Sequence, residues 1–431
     1  MGAILEKVKR FTPLRGATAG GGTDSLKQLC EMFPMLEAET LQSVLEENEG
    51  DLEKTKEMFM PMCTAATREE HQKRPPSSRA GKASSERPQS SYSRDVKELV
   101  DWAQSPDVDV QFQAARALAD LAMSEDQRPR IVKVGGIPHL IKLLCSAGDD
   151  RPELQRCVVM AVANLALSEQ NQGLLVDAGV LPPLIELSKK AMTEGYGDVE
   201  MQSNLARGLA NLAYCNEDLE TRVVEQGGLE PLVSWCKSDD EETRLEAFAA
   251  LANLARHVKN QRKIVEQEGA LRELVKAVKV NGQEELLMQT ARCLANISLN
   301  AENQADLKES GVTAALISAI PKASPEGQRL SGMALANMAA LESLQAQMVQ
   351  EGALPVMFEL LQSGSEDIEL QAARCVAMLS QNELSKAEIV RQGGLPHFVE
   401  LARTRTQDMQ ILAATTLANL STVKGVSASW G

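Results

Sequence analysis

The stretch AEIVRQGGLPHFVELARTRTQDMQILAATTLANLS, residues 387–421, contains the features that decide the fold. Its last six letters are one of eight versions of the same apolar segment, which recurs every 41 to 47 residues. Such a period is typical of stacked helical repeats and not of a globular enzyme. One equivalent position in the eight segments is occupied by Asp120, Asn164, Asn211, Asn253, Asn296, Asn337, Met378 and Asn419. Asn is a poor helix former. Its recurrence in apolar helices therefore indicates a regular series of amides, a ladder, that is presented to a binding partner.

A glycine follows each of the first seven ladder positions after 15 or 16 residues. These glycines are Gly135, Gly179, Gly227, Gly269, Gly311, Gly352 and Gly393. Glycine tolerates the sharp turn where one helix ends and the next begins. Prolines suited to the first turn of a new helix follow at Pro138, Pro182, Pro231, Pro355 and Pro396. Each repeat is therefore predicted to hold three helices, of which the third carries the ladder residue.

Period, turn glycine, helix-start proline and helix-borne asparagine together resemble the armadillo repeat family, over residues 95 to 421. The resemblance implies an all-α fold, a right-handed superhelical solenoid. We predict an N-terminal partial repeat plus about seven complete repeats over 94–421, followed by a C-terminal tail, 422–431. Val96, Leu99 and Val100 are expected to face inward in the partial repeat, as in a solenoid cap. An unrelated helical bundle is the alternative.

In armadillo proteins the ladder amides bind the main chain of an extended peptide. The resemblance thus implies a peptide groove at Asn164, Asn211, Asn253, Asn296, Asn337 and Asn419. Proteins similar to importin-alpha carry Trp four residues before each Asn, but here Arg116, Arg207, Arg292 and Arg374 alternate with Met, Ala or Thr, which argues against a nuclear-import receptor. Arginine favours a client peptide with acidic groups, as in catenin-like grooves. The alternative is that each Arg pairs with a neighbouring Glu. Because Asp120 and Met378 interrupt the ladder, we expect the site to be centred on Asn164 to Asn337.

The segment DSLKQLCEMFPMLEAETLQSVLEENEGDLEKTKEMFM, residues 24–60, has ten acidic and three basic side chains and divides into about three short helices. It resembles a CUE domain, a small three-helix fold related to UBA domains, here predicted at 24–61. Met32, Phe33 and Pro34 match the MFP motif of that family, while Phe59 and Met60 stand where the family usually has two leucines. The resemblance implies ubiquitin binding by these five residues. In the alternative, they are only the core of a structural three-helix cap.

Residues 62–93 are rich in Ser, Pro, Arg and Lys and are predicted to be a disordered linker, which would let the CUE-like domain reach around the repeats. Residues 1–23 are predicted to be a flexible N-terminal segment. Gly2 follows Met1, but Glu6 stands where the myristoylation pattern requires Ser or Thr. Lys7, Lys9 and Arg10 leave open a weak contact with a membrane surface, without integral membrane insertion.

The net charge of −15 comes from residues 95–431, which carry 31 basic and 46 acidic side chains and are therefore poor candidates for nonspecific nucleic-acid binding. Eight cysteines without pairing rhythm favour a reduced compartment, the cytoplasm, without excluding the nucleus. The four histidines show no metal-ligand spacing, and no catalytic motif appears, so neither a metal, a cofactor nor an enzyme is expected. We predict an adaptor that binds ubiquitin or a ubiquitylated protein and an extended peptide segment of a client. A regulatory armadillo domain that senses a nucleotide metabolite is a further alternative.

Overall fold

The computed structural model describes residues 95–423 apart from Asp149, Glu194, Gly195, Gly197, Cys215 and Arg405. All regular secondary structure in this part of the chain is helical. None of its helices is long and apolar enough to cross a membrane. The N-terminal partial repeat consists of α1 (Val96–Trp102) and α2 (Val108–Ala122). Asp95 and Asp107 cap the two helices, because their carboxylates accept from backbone N–H groups of the first turns. The predicted inward residues of α1 are buried, which confirms the expected polarity of this cap.

Seven sets of three helices follow along the described residues. The first helices are α3 (Arg128–Lys133), α6 (Glu169–Asp177), α9 (Glu217–Glu225), α12 (Val258–Glu266), α15 (Gln304–Ser310), α18 (Glu342–Gln350) and α21 (Glu383–Arg391). The second helices are α4 (Gly136–Ser146), α7 (Leu181–Lys190), α10 (Leu229–Trp235), α13 (Ala270–Val278), α16 (Val312–Ala319), α19 (Ala353–Leu360) and α22 (Gly394–Thr404). The third helices are α5 (Pro152–Leu165), α8 (Val199–Leu212), α11 (Glu241–Leu254), α14 (Glu284–Ile297), α17 (Pro325–Ala339), α20 (Glu366–Leu379) and α23 (Gln407–Leu420).

The turn between the first and second helices is built on a left-handed glycine in every repeat. All seven predicted glycines have positive φ, from 73° at Gly311 to 89° at Gly352. In the first repeat Gly135 takes this conformation and Gly136 supplies close packing, because a Cβ on Gly136 would lie 2.5 Å from Cγ2 of Ile131. The sequence-based prediction of a turn glycine between two helices is therefore confirmed.

The core runs continuously through the repeats, because each third helix packs against the third helix of the next repeat from α2 to α23. Small side chains allow successive third helices to approach each other closely. Ala163, Ala210 and Ala252, each directly before a ladder residue, are all buried. Stacking thus buries apolar faces that a single repeat would leave exposed, and it brings the ladder positions of successive repeats into register.

Candidate peptide groove and buried amide ladders

The recurring asparagines of the third helices form a hydrogen-bonded series, which we call the third-helix ladder. Each amide Nδ2 donates to the backbone carbonyl of the alanine that directly precedes the ladder residue of the previous repeat. The distances are 3.0 Å from Asn164 to Ala119, 3.0 Å from Asn211 to Ala163, 2.8 Å from Asn253 to Ala210, 3.3 Å from Asn296 to Ala252 and 2.9 Å from Asn337 to Ala295. The five side chains are therefore held in one repeated orientation.

The ladder has a structural cause at the ends of the third helices. The last four carbonyls of an α-helix have no partner within the helix. Ala210, for example, lies two residues before the end of α8, and the amide of Asn253 satisfies its carbonyl. An unsatisfied buried carbonyl costs about 1–3 kcal/mol, more than the roughly 0.5 kcal/mol by which Asn is a poorer helix former than Ala. Asparagine thus serves as a cap between repeats, a role in addition to any contact with a ligand.

The C-terminal end of the ladder follows a modified scheme. Met378 has no amide and breaks the series, as the sequence indicated. Asn419, one repeat later, donates from Nδ2 to the hydroxyl of Ser380 at 2.9 Å instead of to a backbone carbonyl. Asn419 is half-buried, whereas Asn164, Asn211, Asn253 and Asn337 are buried.

Two predicted groove arginines donate hydrogen bonds to the side-chain oxygen atoms of ladder asparagines. Arg292 donates from Nη2 to Oδ1 of Asn253 at 2.9 Å, and Arg374 donates to Oδ1 of Asn337 at 3.4 Å. Each arginine belongs to the repeat after the asparagine that it contacts. The structure therefore brings the predicted Arg and Asn positions together across the boundary between repeats.

The other two groove arginines differ from this pattern. Arg207 is buried, donates to Oδ1 of Asn204 and pairs with Glu242 of the next repeat at 3.5 Å. Arg207 therefore follows the alternative prediction, in which an arginine pairs with a neighbouring glutamate. Arg116 is exposed on α2. The assignment of all ten Asn and Arg residues to a peptide groove stays a prediction.

Arg156 is a further groove candidate that the sequence reasoning missed. It lies two helical turns before Asn164 on α5 and contacts Asp198 at 2.5 Å and Glu200 at 3.1 Å, both at the start of α8. The equivalent position in the other repeats holds different residue types. The sequence period therefore did not single out Arg156. Together with the pair of Arg207 and Glu242, this contact shows that at two repeat boundaries acidic residues at the start of a third helix pair with an arginine of the preceding repeat.

A second buried ladder, which we call the first-helix ladder and which lies on or directly before the first helices, was also missed. Asn171, Asn260 and Asn303 each donate from Nδ2 to the carbonyl six residues earlier, at 3.1, 3.0 and 2.8 Å. The next position holds Gln172 and Gln261, whose amides cap Ala166 and Ala255 in the same way at 3.4 and 3.2 Å. The Asn-Gln pair, repeated at 171–172, 260–261 and 303–304, was the sequence signal.

Glu220 occupies the glutamine position of this first-helix ladder in the third repeat. The residue is fully buried, and within the described residues neither carboxylate oxygen has a hydrogen-bond partner of good geometry, although the backbone N–H of His257 lies close enough to favour the charged form. Burial raises the pKa of Glu220 to about 7, although Arg256, with Nε 3.9 Å from Oε1, favours the charged form. A carboxylate cannot donate to a backbone carbonyl as Gln172 and Gln261 do, whereas a protonated carboxyl group can.

Burial also determines the protonation of Cys157, Cys293 and Cys375. It raises the pKa of Cys157 to about 11 and the pKa values of Cys293 and Cys375 to about 12. These thiols are therefore protonated at neutral pH, and their side chains act as small core residues and not as nucleophiles. Across residues 95–423 with the stated gaps, no group of three His, Cys, Asp or Glu side chains is arranged to hold a metal ion.

The predicted ubiquitin-binding residues Met32, Phe33, Pro34, Phe59 and Met60 lie outside the described residues. Comparison with family models nevertheless identifies this segment. The CUE domain model matches residues 23–59, and the GAC ARM domain model matches residues 132–423. The armadillo and CUE resemblances predicted from the sequence are thereby confirmed. A search of the curated proteins returned no match.

Solved structures give the same fold. The crystal structure of an engineered protein shares 31% identity, covers 76% of this chain and 79% of its own, and has a TM-score of 0.69. A designed armadillo repeat protein in complex with the peptide (KR)4 shares 27% identity, covers 56% of this chain and 100% of its own, and has a TM-score of 0.51. A computationally designed armadillo repeat protein for modular peptide recognition shares 30% identity over 56% of this chain and 99% of its own, with a TM-score of 0.50.

Proposed function

Because the chain belongs to the GAC ARM domain family and carries a CUE domain before its repeats, we propose that it is a non-enzymatic adaptor. Armadillo repeats and CUE domains are binding or scaffold domains and are not catalytic. In this proposal, the CUE domain binds ubiquitin or a ubiquitylated protein, and the candidate peptide groove binds an extended segment of a client.

The observation that carries the peptide proposal is the common orientation of the five amides from Asn164 to Asn337. Each Nδ2 uses one hydrogen for the carbonyl of the previous repeat and has a second hydrogen to donate. A peptide backbone presents alternating N–H and C=O groups, which match the Oδ1 acceptor and the second Nδ2 donor. Side chains that are already fixed lose little conformational entropy when the peptide binds.

The amides are not equally accessible to a peptide. Within the described residues, Oδ1 accepts no hydrogen bond in Asn164, Asn211 and Asn296, whereas Arg292 and Arg374 occupy the oxygens of Asn253 and Asn337. We therefore place the strongest backbone contacts at Asn164, Asn211 and Asn296. Beside Asn253 and Asn337, a carboxylate of the peptide would contact the guanidinium groups of Arg292 and Arg374. These contacts favour a client peptide with acidic side chains.

Ubiquitin binding rests on the CUE match and on the residues that carry it. The segment contains the MFP motif at 32–34 and an apolar pair at 59–60 in an acidic setting. A small apolar contact flanked by charges supports weak and reversible binding. A linker between the two modules raises the effective concentration of a client that carries both ubiquitin and a matching peptide.

The peptide proposal is tested with the full chain and two fluorescent probes, the basic peptide (KR)4 and an acidic peptide (DE)4. We expect saturable binding of the acidic probe. Combined alanine substitution of Asn211, Asn253 and Asn296 should weaken it by several kcal/mol, because each lost amide contact contributes about 0.5–1.5 kcal/mol. Tighter binding of (KR)4 would overturn the acidic preference but not the groove.

A matched control separates ligand contacts from stability. The combined variant Asn171→Ala, Asn260→Ala and Asn303→Ala also removes three buried amide caps, but on the first helices. Both triple variants are compared at a temperature where circular dichroism shows each to be folded. Equal loss of peptide binding in the two variants would refute the groove.

A second candidate function is a plain armadillo scaffold whose N-terminal helices are structural and do not bind ubiquitin. The replacement of the usual leucine pair by Phe59 and Met60 is the observation that favours it. Titration with ubiquitin distinguishes the two functions.

A further inference from the structure

A cavity of about 610 Å³ opens between the third and fourth repeats, outside the candidate peptide groove. Its walls come from the end of α10, from α11, from α13 and from the start of α14. The buried floor is apolar and includes Phe248, Ala277 and Leu286. A volume of this size lies within the range of about 300–1,000 Å³ that is usual for small-molecule sites.

One residue in the cavity wall is smaller than its counterparts in the two preceding repeats. Ala277 on α13 lies eight residues after the left-handed Gly269. The residues at the same distance from the turn glycine are Leu187 in the second repeat and Trp235 in the third, and both are buried. Alanine therefore leaves space that larger side chains fill in the two preceding repeats.

The rim of the cavity is cationic although the repeat domain as a whole is acidic. Four basic residues line it, Lys237, Arg244, Arg272 and Lys276, against two acidic residues, Asp239 and Glu273. Arg244 is fixed, because Nη1 donates to the Ser238 carbonyl at 2.6 Å and Nη2 donates to Oε1 of Gln283 at 3.2 Å. The buried carboxylate of Glu273 pairs with Nζ of Lys276 at 3.0 Å and with Nε of Arg272 at 3.2 Å. The lining thus keeps a positive excess of two.

Two of these cations lie on the same side of the rim, beside Gly269. A Cβ on Gly269 would lie 3.4 Å from Nη2 of Arg272 and 3.9 Å from Nζ of Lys237. Within the described residues, the side-chain ammonium of Lys237 makes no hydrogen bond or ion pair. Like charges repel, and an anion placed beside Gly269 would offset the repulsion between Lys237 and Arg272.

From the apolar floor and this cationic rim, we propose that the cavity binds a small phosphate monoester that carries an apolar or aromatic group. The phosphate lies between Lys237 and Arg272, and the apolar group enters the space beside Ala277. The dianionic charge of a phosphate monoester matches the positive excess of the lining, and its oxygens accept from both cations. This proposal is independent of the proposed adaptor function.

The test uses the full chain, with phenyl phosphate as the probe and isothermal titration calorimetry as the readout. We expect saturable binding that Lys237→Gln and Arg272→Gln each weaken by about tenfold, as expected for loss of one charge-assisted contact. Both side chains are exposed, so the fold should survive, which circular dichroism checks. Ala277→Leu should weaken phenyl phosphate but leave inorganic phosphate unchanged.

Lys189 provides the matched control, because it stands at the position of Lys237 one repeat earlier and its Nζ also lies beside a left-handed glycine, Gly227. Lys189→Gln should leave the binding of phenyl phosphate unchanged. An equal loss with Lys189→Gln would show general charge attraction and would overturn the proposal. Absence of saturable binding up to about 10 mM phenyl phosphate, or unchanged binding by Ala277→Leu, would overturn it as well.

Discussion

Replacement of Glu220 by glutamine should stabilise the repeat domain, and the gain should grow with pH. The carboxyl group is fully buried in α9, and its pKa is raised from 4.5 to about 7. A raised pKa in the folded state means that the contribution of the group to stability is complete below about pH 4.5 and is lost as pH rises through about 7. Each pKa unit corresponds to about 1.36 kcal/mol, so wild type should lose about 3 kcal/mol over this range.

Glutamine carries no charge and should avoid this loss. Its amide should also cap the Tyr214 carbonyl, six residues earlier, in the way that Gln172 caps Ala166 and Gln261 caps Ala255. The difference in unfolding free energy between Glu220→Gln and wild type should therefore be larger by about 3 kcal/mol at pH 8.5 than at pH 4.5. Arg256, which favours the charged form of Glu220, and Glu217, which disfavours it, remain in place in both proteins.

The assay is urea unfolding of the full chain at several pH values, together with hydrogen exchange of the α9 amides, because a repeat array does not need to unfold in one step. Gln261→Glu is the reciprocal variant, and it should introduce a similar pH dependence one repeat later. The reasoning is refuted if Glu220→Gln changes stability equally at low and high pH.

Two further predictions concern the third-helix ladder and the linker. Asn253→Ala should destabilise the domain by about 1–2 kcal/mol, the cost of an unsatisfied Ala210 carbonyl less the better helix propensity of Ala, whereas Asn419→Ala, whose partner is the Ser380 hydroxyl, should cost less. Urea unfolding measures both, and equal or absent effects would contradict the capping role. Limited proteolysis should cut first within residues 62–93, whose composition predicts disorder, and mass spectrometry of the fragments identifies the site. First cleavage within the repeats would count against a separate linker.

Much of the fold could be predicted because repeats show the same local rule many times. A single Gly such as Gly135 indicates little, but seven at one spacing indicate a turn between two helices, and all seven have positive φ. The ladder positions could be found for the same reason. Their partners could not, because the contact from Asn253 to the Ala210 carbonyl depends on the distance between stacked helices, which the sequence does not state.

The candidate site was less predictable where residues differ between repeats. Arg207, Arg292 and Arg374 share one position, yet Arg207 pairs with Glu242, whereas the other two donate to asparagines of the preceding repeat. The partner of each arginine depends on which acidic residue starts the next third helix and on local packing. The cavity beside Ala277 was equally hidden, because a void depends on the volumes of residues that are distant in sequence.

NMR titration of ¹⁵N-labelled ubiquitin with the full chain tests whether the protein is an adaptor that binds ubiquitin through its CUE domain. We expect saturable shifts or broadening on the apolar patch of ubiquitin, with a Kd in the range of about 10 to 1,000 μM that is expected of a small contact. Combined replacement of Met32 and Phe33 by alanine should abolish the changes. Unchanged ubiquitin spectra with the wild-type chain would show that the chain does not bind ubiquitin, and full binding by the double variant would show that Met32 and Phe33 do not form the contact.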